Sequence, residues 1–142
     1  MGDVADDDVI VVHDAARPLV TAESLSDTIE VCQSYGNSMT IIDCVDTMYK
    51  KTNSAYTSQE VERSELVRGQ TPEAITGKRM KEMYVAADLK GVRMDSISAM
   101  QNALGWKVYF AKGSKRNIKL TNAEDMELFK ALLTVEKDAL IK

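Results

Sequence analysis

The sequence predicts an α/β protein with a mostly parallel, doubly wound sheet that carries helices on both faces. Short apolar runs alternate with segments of helical period along the chain, which is the order of strand–helix–strand units. Polar residues also begin where the first apolar run ends, as they do at the ligand-binding edge of such sheets. The length of 142 residues corresponds to one domain.

The N-terminal part of the chain predicts two strands with a helix between them. Residues 9–13 begin with four consecutive apolar side chains, which is typical of a buried strand. Thr21 is a suitable N-cap for a helix over 22–35, and Gly36 is suited to end it. Residues 38–42 then predict the second strand.

Residues 43–72 differ in character from the rest of the chain. They are polar, Asn53 and Ser54 interrupt them, and short β-prone pieces lie at 47–49 and 55–57. This pattern predicts a hairpin or arm that leaves the main body.

The segment after residue 72 predicts two helices followed by two strands. Helical periodicity resumes after Thr71-Pro72 and stops near Gly91. Asp95 is a candidate cap for a second, short helix that ends at Gly105. Strands are predicted at 106–110 and 117–120.

The last segment predicts a helix that begins with a capping box. Thr121 and Glu124 have the spacing at which each side chain bonds the other's backbone N–H. The helix carries an apolar stripe that we expect to face the core. Its members are Met126, Phe129, Leu132 and Leu133.

Composition excludes several classes of protein. The chain is 44% hydrophobic and 28% charged, which is typical of a globular domain. Its net charge of −4 argues against a general nucleic-acid-binding protein. No apolar stretch is long enough to cross a bilayer and no secretory signal opens the chain, so no membrane partner is expected. Cys32 and Cys44 form no disulfide or zinc pattern, which favours a cytoplasmic protein.

The chemistry-bearing residues are predicted to meet at one edge of the sheet. Asp14 and Arg17 follow the first strand, Lys119 lies in the last one, and Asp95 precedes a short helix. An acid that holds a divalent cation, beside a lysine and an arginine that neutralise phosphates, suits phosphoryl or nucleotidyl transfer.

Simpler readings of the same residues stay open at this point. Asp14 could cap a turn while Arg17 lies on the surface, Lys119 could extend from a strand end, and Asp95 could serve only as a cap. His13 is the only histidine, and no nucleophile elbow accompanies it, which disfavours a Ser-His-Asp triad.

Four motifs together resemble the cytidylyltransferases that act on sugar-alcohol phosphates. They are HDAARP (13–18), Asp46-Thr47, ERSELVRGQTPEA (62–74) and NIKLTNAEDMEL (117–128), and the resemblance runs from about residue 8 to about residue 135. The best-known members use 2-C-methyl-D-erythritol 4-phosphate in isoprenoid precursor synthesis, and we expect this compound to be the acceptor. A close branch uses D-ribitol 5-phosphate for teichoic acid or capsule polymers, and it is the alternative.

The resemblance implies a Rossmann-like nucleotidyltransferase fold and a magnesium-dependent attack of the acceptor phosphate on the α-phosphate of CTP. By the same resemblance, Asp14 binds the metal and touches the acceptor, while Ala15 and Arg17 line the pocket. Lys119 neutralises the α-phosphate in the transition state, and Asp95 contributes to the acceptor site.

The resemblance also implies a homodimer in which the 43–72 segment is the dimerisation arm. Thr47, Arg63 and Thr71 would then contact the acceptor phosphate in the neighbour's site. Without the resemblance, Thr47 and Thr71 are ordinary β-prone and pre-proline residues.

Two departures from the family's pattern affect the expectation. Members open with a strand and a glycine-rich loop that wraps CTP, whereas four aspartates lie within residues 3–8 here. Residues 1–142 therefore resemble a single incomplete domain, truncated at the N-terminus, in which we expect impaired catalysis; the alternative is a non-catalytic dimerising fragment. Met94 also precedes Asp95, where many members carry threonine.

Overall fold

A computed structural model describes the backbone of residues 3–140 and the side chains of residues 3–135. A short 3₁₀ helix at Arg63–Glu65 lies between its fourth and fifth strands. The other elements, in chain order, are β1 (Val9–Val12), α1 (Ala22–Tyr35), β2 (Asn37–Asp43), β3 (Met48–Lys51), β4 (Thr57–Val61), β5 (Val67–Thr76), α2 (Gly77–Lys90), α3 (Ile97–Ala103), β6 (Phe110–Lys112) and α4 (Ala123–Leu140).

The main sheet has four strands in the order β1-β5-β2-β6. Strands β1, β2 and β6 point the same way, and β5 runs antiparallel between β1 and β2. The α/β class is confirmed, but the sheet is mixed because its central strand β5 opposes the other three.

Strand β5 is the main element that differs from the sequence prediction. The sequence predicts that residues 67–72 end the arm and that a helix begins after residue 72, whereas residues 67–76 form one central strand. Pro72 lacks an N–H and argues against a central strand. The sheet accommodates it because pairing with β1 ends at Glu73 and pairing with β2 shifts register between Met39 and Ile41.

Helices cover both faces of the sheet at β5. Ala74 and Ile75 are consecutive in this strand, so their side chains point to opposite faces, and both are 0% exposed. Ile75 belongs to a core cluster with Met83 and Ala87 of α2 and Met100 of α3. Helix α1 packs against β2, β5 and β6. The prediction of helices on both faces is therefore confirmed.

The first helix follows the sequence signals closely. The Thr21 side chain accepts a hydrogen bond from the backbone N–H of Ser24, and the helix ends at Gly36, whose φ of 88° is the left-handed conformation that glycine adopts readily. Helix α2 likewise ends at Gly91, as predicted.

Several boundaries in the C-terminal half differ from the prediction. Ser96, not Asp95, caps α3, because the Ser96 hydroxyl accepts the Ala99 N–H at 3.1 Å. The predicted strand at 106–110 lies instead at Phe110–Lys112. Residues 117–120 are not a strand, and a hydrogen bond from the Leu120 N–H to the Ala16 carbonyl holds them beside the turn after β1.

Helix α4 begins with a capping box displaced by one residue from the predicted pair. Asn122 and Asp125 exchange hydrogen bonds between side chain and backbone, at 2.9 and 3.0 Å. The predicted inward stripe is only partly covered, since Phe129, Leu132 and Leu133 are half-buried and Met126 is exposed. No other described element packs extensively against this helix, which explains the difference.

The predicted hairpin is present between residues 43 and 66. Strands β3 and β4 pair antiparallel in a two-stranded sheet separate from the main one. All their side chains are exposed except Val61, which is half-buried. The hairpin is therefore an exposed appendage of the main sheet.

Candidate functional site

The turn after β1 is held by a short network of hydrogen bonds. The backbone N–H of Arg17 donates to the Asp14 carbonyl at 3.0 Å, which closes the turn. The His13 Nε2 donates to the Arg17 carbonyl at 2.9 Å, so its Nδ1 accepts from the Thr71 hydroxyl at 3.0 Å. The Thr71 oxygen in turn accepts the Asp14 N–H at 3.0 Å. Strand β5 thereby fixes the backbone of Asp14.

Two cations meet the carboxylate of Asp14. Its Oδ2 lies 3.0 Å from the Lys119 Nζ and 3.4 Å from the Arg17 Nε. The hydrogen bond from Lys119 is the main cause that lowers the pKa of Asp14; burial opposes it and Arg17 reinforces it. The Lys119 side chain is 47% exposed and that of Arg17 only 13%. Lys119 is therefore the more available of the two cations for an anionic ligand.

Arg17 is anchored on its other side by the loop that carries Lys119. Its Nη1 donates to the Asn117 carbonyl at 2.8 Å. The Asn117 side chain is fully buried and donates to the Thr71 carbonyl at 2.7 Å. Gln70 also donates to the Asn117 carbonyl, at 3.2 Å. Buried hydrogen bonds of this kind hold the 117–120 loop in place without a strand.

Asp14 and its two cations lie between two cavities. A cavity of about 580 Å³ is lined by Arg17 and Lys119, together with Arg68 and Lys115. Asp14 lines a second cavity of about 260 Å³. Its other polar lining residues are Thr71, Glu73, Asp95 and Ser96. A phosphate held by the cations would therefore have a polar cavity directly beside it.

Glu73 is an acidic residue of the second cavity that sequence reasoning missed. It is 6% exposed, and its Oε2 accepts the Ser98 N–H at 3.2 Å. Burial raises the pKa of Glu73, and the nearby charge of Asp14 acts in the same direction. A visible signal existed, because Thr71 and Glu73 are two residues apart and share one face of a strand. Pro72 between them obscured the strand.

The structure brings most of the predicted site residues together. Asp14, Arg17 and Lys119 are in direct contact, Thr71 bonds the Asp14 backbone, and Asp95 lies at the cavity that Asp14 lines. The reading of Arg17 as a surface residue is wrong, because its side chain is largely buried. Asn117, a further missed residue, is the buried link between Arg17 and Thr71.

The arm residues do not join this site within one chain. Thr47 and Arg63 are exposed and line neither cavity; the Arg63 Nη1 donates to the Val45 carbonyl at 3.2 Å. Ala15 is exposed in the turn between Asp14 and Arg17. Thr71 differs from these two arm residues, because it lies in β5 and its hydroxyl accepts the N–H of this chain's own Asp14; its role in a neighbour's site stays a prediction.

The described part of the chain shows no ready-made metal cluster. Among these residues, no three histidine, cysteine, aspartate or glutamate side chains come together as a metal site.

No helix of the described residues is long and apolar enough to span a membrane. Cys32 and Cys44 are both free thiols.

Comparison with known proteins identifies the family. The family model described as 2-C-methyl-D-erythritol 4-phosphate cytidylyltransferase matches residues 3–135. A protein from Lacticaseibacillus paracasei named ribitol-5-phosphate cytidylyltransferase is 39% identical over 131 residues, which are 90% of this chain and 56% of that protein. A 2-C-methyl-D-erythritol 4-phosphate cytidylyltransferase from Geobacillus kaustophilus is 31% identical over 130 residues, which are 92% of this chain and 57% of that protein.

Solved structures agree with this assignment. The crystal structure of 2-C-methyl-D-erythritol 4-phosphate cytidylyltransferase from Thermus thermophilus has a TM-score of 0.78 at 27% identity, covering 87% of this chain and 61% of that one. The enzyme of the same name from Francisella tularensis shares the fold with a TM-score of 0.77 at 24% identity, covering 92% and 61%. The chain spans less than two thirds of the length of these relatives. It belongs to the 2-C-methyl-D-erythritol 4-phosphate cytidylyltransferase family.

Proposed function

We propose that the protein carrying this chain transfers CMP from CTP to a sugar-alcohol phosphate and releases pyrophosphate. The observation that carries the proposal is the contact of Lys119 and Arg17 with one carboxylate, Asp14, at the end of β1. Family membership supplies the reaction class, and the chain spans about 57% of the relatives. The proposal concerns the two reacting phosphates, since Arg17 would contact the acceptor phosphate and Lys119 would lie between it and the α-phosphate of CTP.

The chain's residues act by charge neutralisation and positioning. Lys119 moves part of its interaction from Asp14 to the α-phosphate as negative charge develops there. Arg17 is held by Asn117 and keeps a fixed positive charge beside the acceptor phosphate. The acceptor phosphate oxygen forms the new bond to the α-phosphorus, and the bond to the pyrophosphate breaks. Phosphoryl chemistry of this kind requires little covalent help from the protein.

Magnesium is part of the proposal, and the donor set fits it. Asp14 supplies one carboxylate, and Mg²⁺ in nucleotide sites is commonly held by one or two carboxylates, substrate phosphates and water. When bound, it neutralises phosphate charge. Asp14 would hold it after exchanging part of its contact with Lys119, since the same Oδ2 faces both cations.

Two acceptors are candidates. The family description names 2-C-methyl-D-erythritol 4-phosphate. The 39% identity with the protein named ribitol-5-phosphate cytidylyltransferase, against 31% for the methylerythritol relative, favours D-ribitol 5-phosphate. A direct comparison of the two acceptors distinguishes them.

A homodimer through the arm is also proposed, with a cytoplasmic location. The hairpin exposes Met48, Tyr49 and Tyr56, which are 41%, 57% and 60% exposed. Exposed aromatic residues on an appendage favour an interface with a second copy. In such a dimer Thr47 and Arg63 would reach the acceptor phosphate of the partner. Sedimentation should show a dimer, and Tyr49→Ser with Tyr56→Ser should shift it towards monomer.

Pyrophosphate release from CTP and Mg²⁺, with each acceptor supplied separately, tests the proposed reaction. Release that depends on one acceptor would support the complete reaction and identify the branch. Acceptor binding without pyrophosphate release would mean that this chain supplies only the acceptor half of the active site or serves only in dimerisation. Absence of both would contradict the proposal.

A further inference from the structure

Glu73 lies next to Asp14 because of the strand register. In the β1–β5 pair, Glu73 is opposite Val12, two residues before Asp14. Thr71, two residues before Glu73, bonds the Asp14 N–H. Alternate residues of a strand share a face, so Thr71 and Glu73 point towards the same cavity beside Asp14.

The cavity has the size and lining expected for a polyol chain. Its volume is about 260 Å³, which is room for several water molecules. Its apolar side is formed mainly by flexible side chains that adapt to a ligand's shape. These are Met80, Met83, Met94 and Met100. Arg17 and Lys119 line the adjoining cavity and Asp14 lines this one, so a carbon chain attached to a phosphate at the two cations has space to extend past Asp14 into it.

The contacts of Glu73 within the protein compensate the burial of its charge only in part. Its Oε2 accepts the Ser98 N–H, a hydrogen bond that a neutral glutamine could also accept. Among the described residues it forms no ion pair, and the hydrogen bonds from Ser98 and from the Ile97 backbone offset only part of the cost of burial, since the pKa of Glu73 stays raised. A carboxylate is, however, a strong acceptor for a hydroxyl donor.

We infer that Glu73 is a specificity-determining residue, whose carboxylate accepts a hydrogen bond from a hydroxyl of the acceptor's polyol chain. This inference rests on the proposed function, since it needs a sugar-alcohol phosphate as the ligand. Arg17 and Lys119 then recognise the phosphate end, and Glu73 recognises the hydroxylated end.

The test compares two phosphate monoesters that differ only in hydroxylation. Calorimetric titration of the chain with D-ribitol 5-phosphate and with n-pentyl phosphate gives a preference ratio, and inorganic phosphate measures the cation pair alone. 2-C-methyl-D-erythritol 4-phosphate is titrated in parallel as the second polyol. The variants are Glu73→Gln and Glu73→Leu, with Glu30→Gln as a control on the exposed surface of α1. Circular dichroism verifies the fold of each variant.

The wild-type chain should bind at least one polyol phosphate about tenfold more tightly than n-pentyl phosphate, because a hydrogen bond to a charged group ordinarily contributes this much to affinity. Glu73→Leu should reduce this affinity ratio to about two or less, because leucine accepts no hydrogen bond. Glu73→Gln should reduce the ratio by about threefold, because a neutral acceptor binds a hydroxyl less strongly. Inorganic phosphate should bind all variants equally, and Glu30→Gln should keep the wild-type ratio.

The possible failures are distinct. An unchanged ratio in a folded Glu73→Leu overturns the inference, and if that variant does not fold, an unchanged ratio in Glu73→Gln overturns it. Equal binding of polyol and pentyl phosphates by the wild type overturns the inference and leaves the phosphate site intact. Failure of both polyol phosphates to bind overturns the proposed function, and the inference with it.

Discussion

Arg17 and Lys119 contact the same carboxylate, but the structure predicts that their removal lowers the free energy of unfolding by different amounts. Lys119→Ala removes an ion pair whose partners are 47% and 34% exposed, which costs less than about 1 kcal/mol of unfolding free energy. Arg17→Ala also removes the half-buried hydrogen bond from Nη1 to the Asn117 carbonyl. A hydrogen bond from a charged group contributes about 1.5–3 kcal/mol, so Arg17→Ala should cost about 2–3 kcal/mol.

The ligand-binding effects should follow a different order from the stability effects. Lys119→Ala should weaken phosphate binding by about tenfold while the protein stays folded, because its ammonium is the exposed cation. Urea unfolding and phosphate titration measure the two quantities, with Lys90→Ala as a control for removing an exposed lysine. Equal destabilisation by the Arg17 and Lys119 variants, or unchanged phosphate binding in Lys119→Ala, would refute this reasoning.

Three further predictions concern the acids and the arm. In a complete version of the protein, Asp14→Asn should lower turnover by about 10²–10³, since it removes the charge that positions the cations and the metal; near-normal turnover would exclude Asp14 from the mechanism. Arg63→Ala should raise the KM of the acceptor more than that of CTP, and an effect on CTP alone would contradict its role at the acceptor phosphate. Glu73→Gln should raise the urea midpoint at neutral pH. Burial raises the pKa of Glu73 in the folded state. The wild-type protein therefore loses stability as the pH rises from the ordinary carboxyl pKa through this raised pKa. In acid the Glu73 side chain is neutral, so the difference in urea midpoint between wild type and variant should shrink. A constant difference between acid and neutral pH would show that the Glu73 charge is not its cause.

Local signals predicted local structure well. Thr21 and Gly36 bound the first helix because side-chain capping and a left-handed glycine depend only on adjacent residues. Asp14, Arg17 and Lys119 lie together as predicted, although Lys119 reaches Asp14 on a loop and not at the end of a strand.

Features that depend on the partner strand could not be predicted in the same way. Pro72 lies in a central strand because the ladder is interrupted on both of its sides, which no local pattern reveals. Asn117 holds the Lys119 loop through contacts with residues 46 to 100 positions away. The exposure of Met126 on α4 likewise depends on which elements pack against that helix, not on its period.

The most direct test of the acceptor site is a titration of the isotope-labelled chain with D-ribitol 5-phosphate and 2-C-methyl-D-erythritol 4-phosphate, followed by amide chemical shifts. Saturable shifts are expected with at least one of them at Asp14, Arg17, Thr71 and Lys119, and these shifts should be absent in Lys119→Ala. Saturable shifts confined to other parts of the chain, or no shifts with either compound, would contradict the assignment of this site to a sugar-alcohol phosphate.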